Sequence, residues 1–417
     1  EKEKQMAVVK PFYCIRPRED RAAQVAALPY DVYSREEARR AVAGRPLLFL
    51  NIDRPETQFS QDMDMYDDRV YEKARELFDE ELAEGVFVRE EAPRYFLYEL
   101  TMDGRSQTGI AGCCAIDDYL GEVIKKHENT REEKELDRIR HVDRMDAQTG
   151  PIFLAYREDG AIKPIVEQVK RGTPLYDFAA EDDVRHRVWR VEEPGQEEAI
   201  RTAFERIPSL YIADGHHRAA SAVKVGLMRR KEHPDYTGEE PFNYFLSVLF
   251  PDAELSILPY NRVVRDLNGL GQEAFLAAVR KNFEVRRLGA QPFAPEEKGS
   301  FGMFLGDTWY CLKARQGCLS SDPVKGLDVS VLQDYLLGPV LGIEDPRTDK
   351  RIDFVGGIRG LKELERRVRE GMAAAFSMYP TSMEELLAVA DAGRLMPPKS
   401  TWFEPKLRSG LFIHRLS

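Results

Sequence analysis

Residues 211–221 read YIADGHHRAAS, and this stretch decides how the rest of the sequence is interpreted. The apolar run at 210–213 predicts a short buried strand, and from Ala219 the pattern AASAVKVGLM predicts a helix. The Asp-Gly pair at 214–215 is therefore a strand-to-helix turn. The His-His-Arg triplet at 216–218 falls in the first helical turn, so two of the chain's seven histidines stand at one helix start.

The start of a helix favours anions. Its first N–H groups have no intrahelical partner, and the helix dipole places partial positive charge there. A glycine lets a phosphate approach the backbone closely, and an arginine adds a fork of donors. Cations at this end oppose the dipole unless an anion is bound. The pattern predicts a phosphate-binding turn formed by Gly215, His216, His217 and Arg218. The alternative is that Asp214 caps the helix and the other side chains satisfy protein neighbours.

The composition of the 417-residue chain is that of a globular protein, with 43% hydrophobic residues and a net charge of −11. No apolar stretch approaches the length of a membrane span, which argues against a membrane partner. The net charge argues against general nucleic-acid binding, because such binding needs clustered Lys and Arg. Five cysteines without CxxC spacing predict reduced thiols, no structural metal and a cytoplasmic protein.

The pattern of elements predicts the α/β class, in the mixed α+β form. Strand pairs flanked by helices favour mixed sheets over a doubly wound parallel sheet. Apolar runs at 95–100 and 107–116 flank an Asp-Gly turn and predict a hairpin. Two further runs, at 243–250 and 255–260, predict a second hairpin around Pro251.

The domain organisation is weakly marked, because no low-complexity linker interrupts the chain. The stretch 289–300 is the most loop-like segment. We predict an N-terminal portion at 6–192 and a C-terminal portion at 193–417 that contains the phosphate-binding turn. The two portions are expected to form one interlocked unit.

A second group of candidates lies in HENTREEKELDRIRHVDR, residues 127–144. Helical spacing places Thr130, Lys134, Asp137 and Arg138 on one face. At the helix start, Glu128 and its neighbours offer a carboxylate, an amide and a hydroxyl, a set suited to Mg²⁺ and to orienting phosphates. The alternative is a solvated helix held by ion pairs four residues apart.

A third group lies in MPPKSTWFEPKLRSGL, residues 396–411. It brings two ammonium groups and two hydroxyls into a loop punctuated by prolines: Lys399, Ser400, Thr401 and Lys406. The alternative is a C-terminal strand with ordinary surface lysines. Three weaker candidates either line a pocket or close turns: Tyr30, Asp31 and Arg262.

Taken together, ADGHHRAAS, HENTREEKELDR, LPYNRVV, DVSVLQDYLLGPVLGI and MPPKSTWFEPKLRSGL resemble the bacterial family catalogued as domain of unknown function 1015. The resemblance covers nearly the whole chain from Met6. The strand followed by Asp-Gly-His-His-Arg is also similar to the phosphate-binding turn of the ParB/sulfiredoxin superfamily, which includes free-serine kinases. This resemblance implies a ParB/sulfiredoxin-like nucleotide-binding core elaborated by additional segments, with the phosphates at 215–218.

The superfamily resemblance also bears on individual residues. The run from Glu128 to Arg131 is similar to the Glu-Asn-x-x-Arg motif of ParB, although Arg131 stands one position early. It implies that Glu128 lies near the phosphates and the metal. The cysteine of sulfiredoxin is replaced by His216, which argues against repair of sulfinic acids.

These observations predict that the protein is a nucleotide-dependent small-molecule phosphotransferase, such as a free serine kinase, that uses ATP or ADP with Mg²⁺. The turn would hold the phosphates, Glu128 or Asp137 would hold Mg²⁺ or accept the hydroxyl proton, and a lysine would neutralise developing charge. The catalytic candidates are Glu128, Asp137, Asp214 and Lys399. The ligand-binding candidates are Gly215, His216, His217, Arg218, Thr130, Lys134, Arg138, Ser400, Thr401 and Lys406.

Two alternatives stay open at this point. One is a non-catalytic nucleotide-binding regulator related to ParB. The other is a hydrolase in which His216 and His217 bind a transition metal. Adjacent residues on a helix point about 100° apart, so the two rings rarely reach one ion.

Overall fold

The computed structural model describes residues 6–130 and 132–417, so Arg131 of the ParB-like motif lies outside the described residues. The chain divides into two compact units. Unit 1 comprises the described part of Glu1–Leu255 together with Pro405–Ser417, and unit 2 comprises Ser256–Glu404. The boundary that the sequence predicts between 192 and 193 falls inside unit 1, where strands from both sides of it pair in one sheet.

The strands of unit 1 are short to medium in length. In chain order they are β1 (Val9–Lys10), β2 (Cys14–Pro17), β3 (Phe87–Arg89), β4 (Phe96–Met102), β5 (Arg105–Ala115), β6 (Ile124–Lys125), β7 (Ala147–Gln148), β8 (Ile152–Tyr156), β9 (Tyr176–Ala179), β10 (Arg185–Arg190), β11 (Leu210–Asp214) and β12 (Tyr244–Pro251). Unit 2 contains β13 (Ile257–Leu258), β14 (Tyr260–Val264), β15 (Phe283–Gly289), β16 (Ser300–Leu305), β17 (Thr308–Ala314), β18 (Ile352–Gly356), β19 (Ala374–Met378) and β20 (Trp402–Phe403). The chain returns to unit 1 for β21 (Ile413–Arg415).

The α-helices flank these sheets. Unit 1 contains α1 (Ala22–Val25), α2 (Arg35–Val42), α3 (Leu50–Asp53), α4 (Asp68–Ala83), α5 (Ile116–Leu120), α6 (Glu132–Met145), α7 (Ile162–Val169), α8 (Pro194–Phe204) and α9 (His216–Glu232). Unit 2 contains α10 (Gln272–Val279), α11 (Asp328–Leu332), α12 (Gly360–Arg369) and α13 (Met383–Asp391). Within residues 6–130 and 132–417, no helix is both long and apolar enough to span a bilayer.

The main sheet of unit 1 has the strand order β6-β11-β8-β12-β5-β4-β10-β9, and β1 pairs with β5. Strand β12 runs parallel to β8 and β11 runs parallel to β6, while the other pairs of this sheet are antiparallel. A smaller sheet has the order β3-β2-β21-β7. The predicted mixed α/β fold with mixed sheets and flanking helices is therefore confirmed.

The sheets of unit 2 are antiparallel in each described pair. The larger has the order β15-β17-β16-β19-β14-β18, and β13 pairs with β20. Its core is formed around Val263, Phe304 and Trp309, and the side chains of α12 contribute Leu364. Unit 2 thus has a hydrophobic core of its own.

The two hairpin predictions have opposite outcomes. The first is confirmed, because β4 and β5 pair around the turn at Asp103 and Gly104. The second is wrong. Strand β12 pairs with β5 and β8, whereas β13 pairs with β20. The residues between them form a 3-10 turn at Asp252–Glu254 rather than a tight hairpin turn.

The elements that carry the turn at Asp214–Gly215 are packed into the core of unit 1. Strand β11 lies between β6 and β8 in the main sheet. Helix α9 follows it and buries Ala219, Ala222 and Val223 in the core of the unit. The Ser221 hydroxyl lies 2.7 Å from the His217 carbonyl of its own helix and 3.2 Å from the Glu135 carbonyl of α6, so α9 packs closely against α6 here.

Candidate functional site

The strand-to-helix turn has an unusual backbone. The register between β11 and β8 shifts between Ile212 and Asp214, an irregularity that re-aims side chains at the end of a strand. Gly215 follows in the left-handed conformation, with φ 91° and ψ 33°, which glycine adopts without strain. Helix α9 then begins at His216, with no acidic residue in its first turn and no side chain capping its N-terminus.

Asp214 does not cap the helix, so that part of the structural alternative is wrong, whereas its expectation that Arg218 pairs with an acid agrees with the structure. The Asp214 carboxylate lies 3.4 Å from the Lys406 ammonium and 3.6 Å from the Arg218 guanidinium. Burial disfavours the charged carboxylate, but the charges of Lys406 and Arg218 outweigh it and hold the pKa of Asp214 below its usual value. One carboxylate therefore offsets two cations at this turn.

Arg218 folds back over the turn. One terminal nitrogen of its guanidinium donates to the Pro151 carbonyl at 2.6 Å. The guanidinium lies so close to Gly215 that a β-carbon there would meet three of its atoms at 3.0 Å. The Arg218 side chain is 10% exposed, and its Nε has no hydrogen-bond partner within the described structure. A buried charged donor is thus unused beside the helix N-terminus.

His216 is enclosed by another histidine and an acid. Its ring stands edge-on to that of His127, with centroids 4.5 Å apart, and its Nδ1 lies 4.0 Å from the Glu128 carboxylate. Burial lowers the pKa of His216 to about 4 and that of His127 to about 3. At neutral pH both rings are uncharged, so each offers one N–H donor and one acceptor.

His217 faces a different set of groups. Burial lowers its pKa and the charge of Lys134 lowers it further, while the carboxylates of Asp31 and Glu128 act in the opposite direction. Its Nδ1 is buried and has no hydrogen-bond partner in the described residues. The two adjacent histidines therefore contact different surroundings, as the helical spacing of their side chains predicts.

The fit of metals to this site can be judged from the donor set. Among residues 6–130 and 132–417, no group of three or more His, Cys, Asp or Glu side chains is arranged to hold an ion. His216 and His217 also face different groups, which disfavours their joint binding of one transition metal. Mg²⁺ has a different requirement, because it is bound through one or two carboxylates together with substrate phosphates. Glu128, whose side chain is 37% exposed, is a carboxylate of that kind beside the turn.

A small cavity of about 30 Å³ opens beside Arg218. Its polar lining includes Tyr30, Asp53, Arg138, His141, Thr149 and Arg218. The Arg138 guanidinium lies 4.0 Å from the centre of the Tyr30 ring and 2.8 Å from the Asp137 carboxylate. The volume of this cavity is about that of one water molecule. The cavity brings Arg138, a candidate from α6, to the same place as Arg218 from α9.

A larger cavity of about 220 Å³ shares Tyr30 and Arg138 with the small one. Lys134 and Asp137 also line it, together with Asp31. The Asp137 carboxylate accepts from the Tyr71 hydroxyl at 2.8 Å. Burial disfavours its charged form, but Arg138 and the Tyr71 hydroxyl hold the pKa of Asp137 below its usual value. The Asp137 carboxylate is thus engaged in an ion pair with Arg138.

The remaining candidates fall in different places. The Thr130 hydroxyl donates to the Glu135 carboxylate of the same helix region. Lys406 joins the turn through Asp214, as described above. Lys399, Ser400 and Thr401 belong to unit 2, where the Ser400 hydroxyl donates to the Pro397 carbonyl at 2.6 Å. Participation of these three residues in the site stays a prediction.

Comparison with known protein families matches residues 9–330 to the family described as "Protein of unknown function (DUF1015)". The chain belongs to this family. No curated protein matches this DUF1015 chain. The family assignment agrees with the resemblance carried by the sequence motifs, and its description names no activity.

Solved structures resemble this DUF1015 chain only distantly. A conserved hypothetical protein from Pyrococcus furiosus has 15% identity and a TM-score of 0.34, covering 73% of this chain and 95% of that chain. A mutant free serine kinase in complex with ADP has 15% identity and a TM-score of 0.33, covering 72% and 92%. SbnI from Staphylococcus aureus, truncated at its C-terminus, has 12% identity and a TM-score of 0.40, covering 73% and 87%. Similarities at this level do not identify an activity.

Several residues at the site of this DUF1015 chain escape the sequence reasoning. His127 stands next to Glu128 in a quoted motif, yet its contact with His216 depends on the pairing of β6 with β11. Asp53 and Thr149 line the small cavity and are joined by a 2.8 Å hydrogen bond. An acid directly after the apolar run LLFLNI is a signal that could have pointed to Asp53.

Proposed function

We propose that this protein is a nucleotide-dependent phosphotransferase that acts on a small hydroxyl compound and binds the nucleotide phosphates at Gly215–Arg218. One observation carries the proposal. The N-terminus of the 17-residue helix α9 has no side-chain cap and no acid in its first turn, and the buried Nε donor of Arg218 lies beside it. Helix N-termini with adjacent arginines are suited to phosphate groups.

The charges around the turn favour an anion. Asp214 lies at ion-pair distance from both Arg218 and Lys406. The positive end of the α9 dipole adds positive potential at the same turn. The neutral rings of His216 and His217 can donate hydrogen bonds without adding charge of their own. A bound phosphate would balance the two cations and satisfy the first N–H groups of the helix.

Binding requires Arg218 to move. Its guanidinium covers Gly215 and bonds to Pro151, so a phosphate at the turn would take the place of that carbonyl. The movement exchanges a hydrogen bond to a neutral carbonyl for hydrogen bonds to a charged phosphate, in which both partners are ionised. Arg218 would then clamp the phosphate that it now excludes.

The cavity sizes suggest where the acceptor would bind. Pockets for drug-sized ligands measure about 300–1,000 Å³. The 220 Å³ cavity beside Arg138 is smaller than this range and suits a small molecule rather than a whole nucleotide. Because Tyr30 and Arg138 line both cavities, an acceptor bound in the larger one would lie close to the small cavity beside Arg218.

The remaining groups have roles that follow from their surroundings. Glu128 is the candidate for holding Mg²⁺ or accepting the hydroxyl proton, because its carboxylate is partly exposed and beside His216. Mg²⁺, when bound, would neutralise charge on the phosphates. Asp214 holds Arg218 and Lys406, and Asp137 holds Arg138. Phosphoryl transfer depends mainly on such positioning and charge stabilisation.

The experiment uses the purified full chain. Calorimetric titration with ADP and with ATP measures binding, and formation of ADP or AMP is followed with Mg²⁺ across a panel of amino acids and other small alcohols. We expect Arg218→Ala to weaken ADP binding roughly 10- to 100-fold, since hydrogen bonds to charged groups contribute about 1.5–3 kcal/mol. Arg229→Ala is the matched control, because Arg229 lies in the last turn of the same helix and pairs with Asp143. Equal affinities for ADP in both variants would contradict the proposal.

The second candidate is a non-catalytic nucleotide-binding regulator related to ParB. It would use the same uncapped N-terminus of α9 for the phosphates, so nucleotide binding alone does not separate the two candidates. Nucleotide binding without product formation across the panel would support this candidate over the phosphotransferase. A panel in which serine alone is phosphorylated would instead identify a free serine kinase.

A further inference from the structure

Arg262 is a buried charge in the larger sheet of unit 2, on the strand next to the edge strand β18. Strand β14 lies between β18 and β19, and the residues opposite Arg262 on these strands are Phe354 and Phe376. Arg262 is 4% exposed. Arginine is almost never fully buried unless it is paired, so this position needs an explanation.

The partners of Arg262 are neutral. Its terminal nitrogens donate to the backbone oxygens of Tyr260 and Lys399, the second at 3.0 Å, and its guanidinium lies 5.3 Å from the centre of the Phe354 ring. Within the described residues, no carboxylate forms an ion pair with it. Burial lowers the pKa of Arg262 to about 10. A guanidinium has five N–H donors, so these two bonds leave capacity for an oxyanion.

The loop that contacts Arg262 brings a second cation instead of an acid. Lys399 has φ 59°, a conformation that costs free energy for a residue with a side chain and that tends to occur at functional sites. Its carbonyl accepts from Arg262, and its exposed ammonium lies 5.5 Å from the centre of the Tyr260 ring. Lys399 and Arg262 are therefore parts of one cluster.

We propose that Arg262 and Lys399 form an oxyanion site in unit 2 that takes a phosphate or carboxylate group. The planar guanidinium matches two oxygens of either group, and the flexible ammonium of Lys399 closes over the anion from the solvent side. A bound anion supplies the charge that the protein itself does not place against Arg262. The site lies within unit 2 and does not depend on the phosphotransferase proposal.

The competing explanation is structural. The two carbonyls and the Phe354 ring would then satisfy Arg262, and no anion would bind. The two explanations differ in one respect that can be measured, because only the oxyanion site makes the binding of small anions depend on Lys399.

The test measures binding of inorganic phosphate and of malonate by calorimetry at constant ionic strength, in the full chain carrying Arg218→Ala. This background weakens the turn at Gly215, so that anion binding reports on unit 2. We expect one or both probes to bind. Adding Lys399→Gln should weaken binding about fivefold, the upper range for an exposed charge. Adding Arg262→Met should weaken it roughly 100-fold. Lys362→Gln, a change at an exposed lysine of unit 2, is the matched control and should have no effect.

The outcomes separate the possibilities. Binding of phosphate alone identifies a phosphate site, and binding of malonate alone identifies a carboxylate site. The proposal is overturned if neither probe binds, or if Lys399→Gln binds both as tightly as its background. If Arg262→Met fails to fold, Lys399→Gln decides the question, because Lys399 is exposed. ADP binding that depends on Arg218 while neither probe depends on Lys399 would refute this site and leave the proposed function standing.

Discussion

The Arg218 guanidinium rests on the α-carbon of Gly215, so near that a β-carbon on Gly215 would lie 3.0 Å from three of its atoms. Two properties of glycine are used at once. The backbone has φ 91°, and the side chain of Arg218 packs tightly against the position where a β-carbon would stand. The turn and the arginine are therefore a single structural feature.

Gly215→Ala should affect both stability and ligand binding. The left-handed backbone alone costs an alanine about 1–2 kcal/mol, and displacement of Arg218 adds to this. We expect the free energy of unfolding, measured in urea, to fall by about 2–3 kcal/mol, and ADP affinity to fall with it.

The matched control is Gly85→Ala. Gly85 also has a positive φ, of 74°, but its added β-carbon would meet no atom within 4 Å. This variant should lose about 1–2 kcal/mol of stability and keep its affinity for ADP. A loss of affinity in Gly85→Ala equal to that in Gly215→Ala would show that general destabilisation explains both.

Asp214→Asn should weaken the fold and strengthen anion binding. The change removes the charge that offsets Lys406 and Arg218, so we expect a loss of about 1–3 kcal/mol in the free energy of unfolding. A phosphate would then no longer compete with the carboxylate for these cations. Its affinity, measured by calorimetry with inorganic phosphate, should rise roughly tenfold, equivalent to about 1.4 kcal/mol. Unchanged phosphate affinity would mean that Asp214 does not compete with the ligand.

The buried histidine at the turn should make the fold sensitive to acid. Burial lowers the pKa of His216 to about 4, while the unfolded chain takes up this proton near pH 6.5. Between these values the unfolded state binds more protons, so stability present above pH 6.5 is lost as the pH falls towards 4. The loss attributable to His216 is about 2–3 kcal/mol between pH 7 and pH 4.5.

His216→Gln checks this contribution. Urea unfolding of the variant at pH 7 and pH 4.5 should give a difference in stability smaller than that of the wild type by about 2–3 kcal/mol. An identical difference in the two proteins would mean that protonation of His216 does not contribute to the loss of stability in acid.

Glu128→Gln separates chemistry from binding. If Glu128 holds Mg²⁺ or accepts the hydroxyl proton, the rate of product formation should fall at least about 100-fold. The affinity for ADP without Mg²⁺ should change by less than about threefold, because Glu128 faces His216 rather than Arg218. Glu133→Gln, at an exposed position of α6, is the control and should retain activity. Equal rates in the two variants would remove Glu128 from the mechanism.

The local parts of the fold could be predicted from the sequence. The turn at Gly215 was predictable because an apolar strand, a glycine and a helix of small residues follow one another without interruption. The β4–β5 hairpin was predictable because both strands and their turn are adjacent in sequence. The pairing of β13 with β20 could not be predicted. Apolar alternation indicates that a segment is a strand, but it does not indicate which distant strand pairs with it.

The residues of the site show the same contrast between local patterns, which could be predicted, and long-range contacts, which could not. Arg218 and His216 could be selected from their position at one helix start. Most of their surroundings could not, because Asp53 and His127 reach the site only through tertiary packing; Tyr30, which lines the small cavity, was selected only as a residue that either lines a pocket or closes a turn. Asp137 shows most clearly what cannot be predicted from sequence position. Its position suggests a metal ligand or a base, whereas in the structure its carboxylate contacts Arg138 and the Tyr71 hydroxyl.

The most direct test of the central claim is a crystal structure of the full chain with ADP bound. The account predicts phosphate oxygens about 3 Å from the backbone nitrogens of residues 216–218, with the Arg218 guanidinium moved from the Pro151 carbonyl onto the phosphate. ADP bound elsewhere, with Arg218 still covering Gly215, would contradict it.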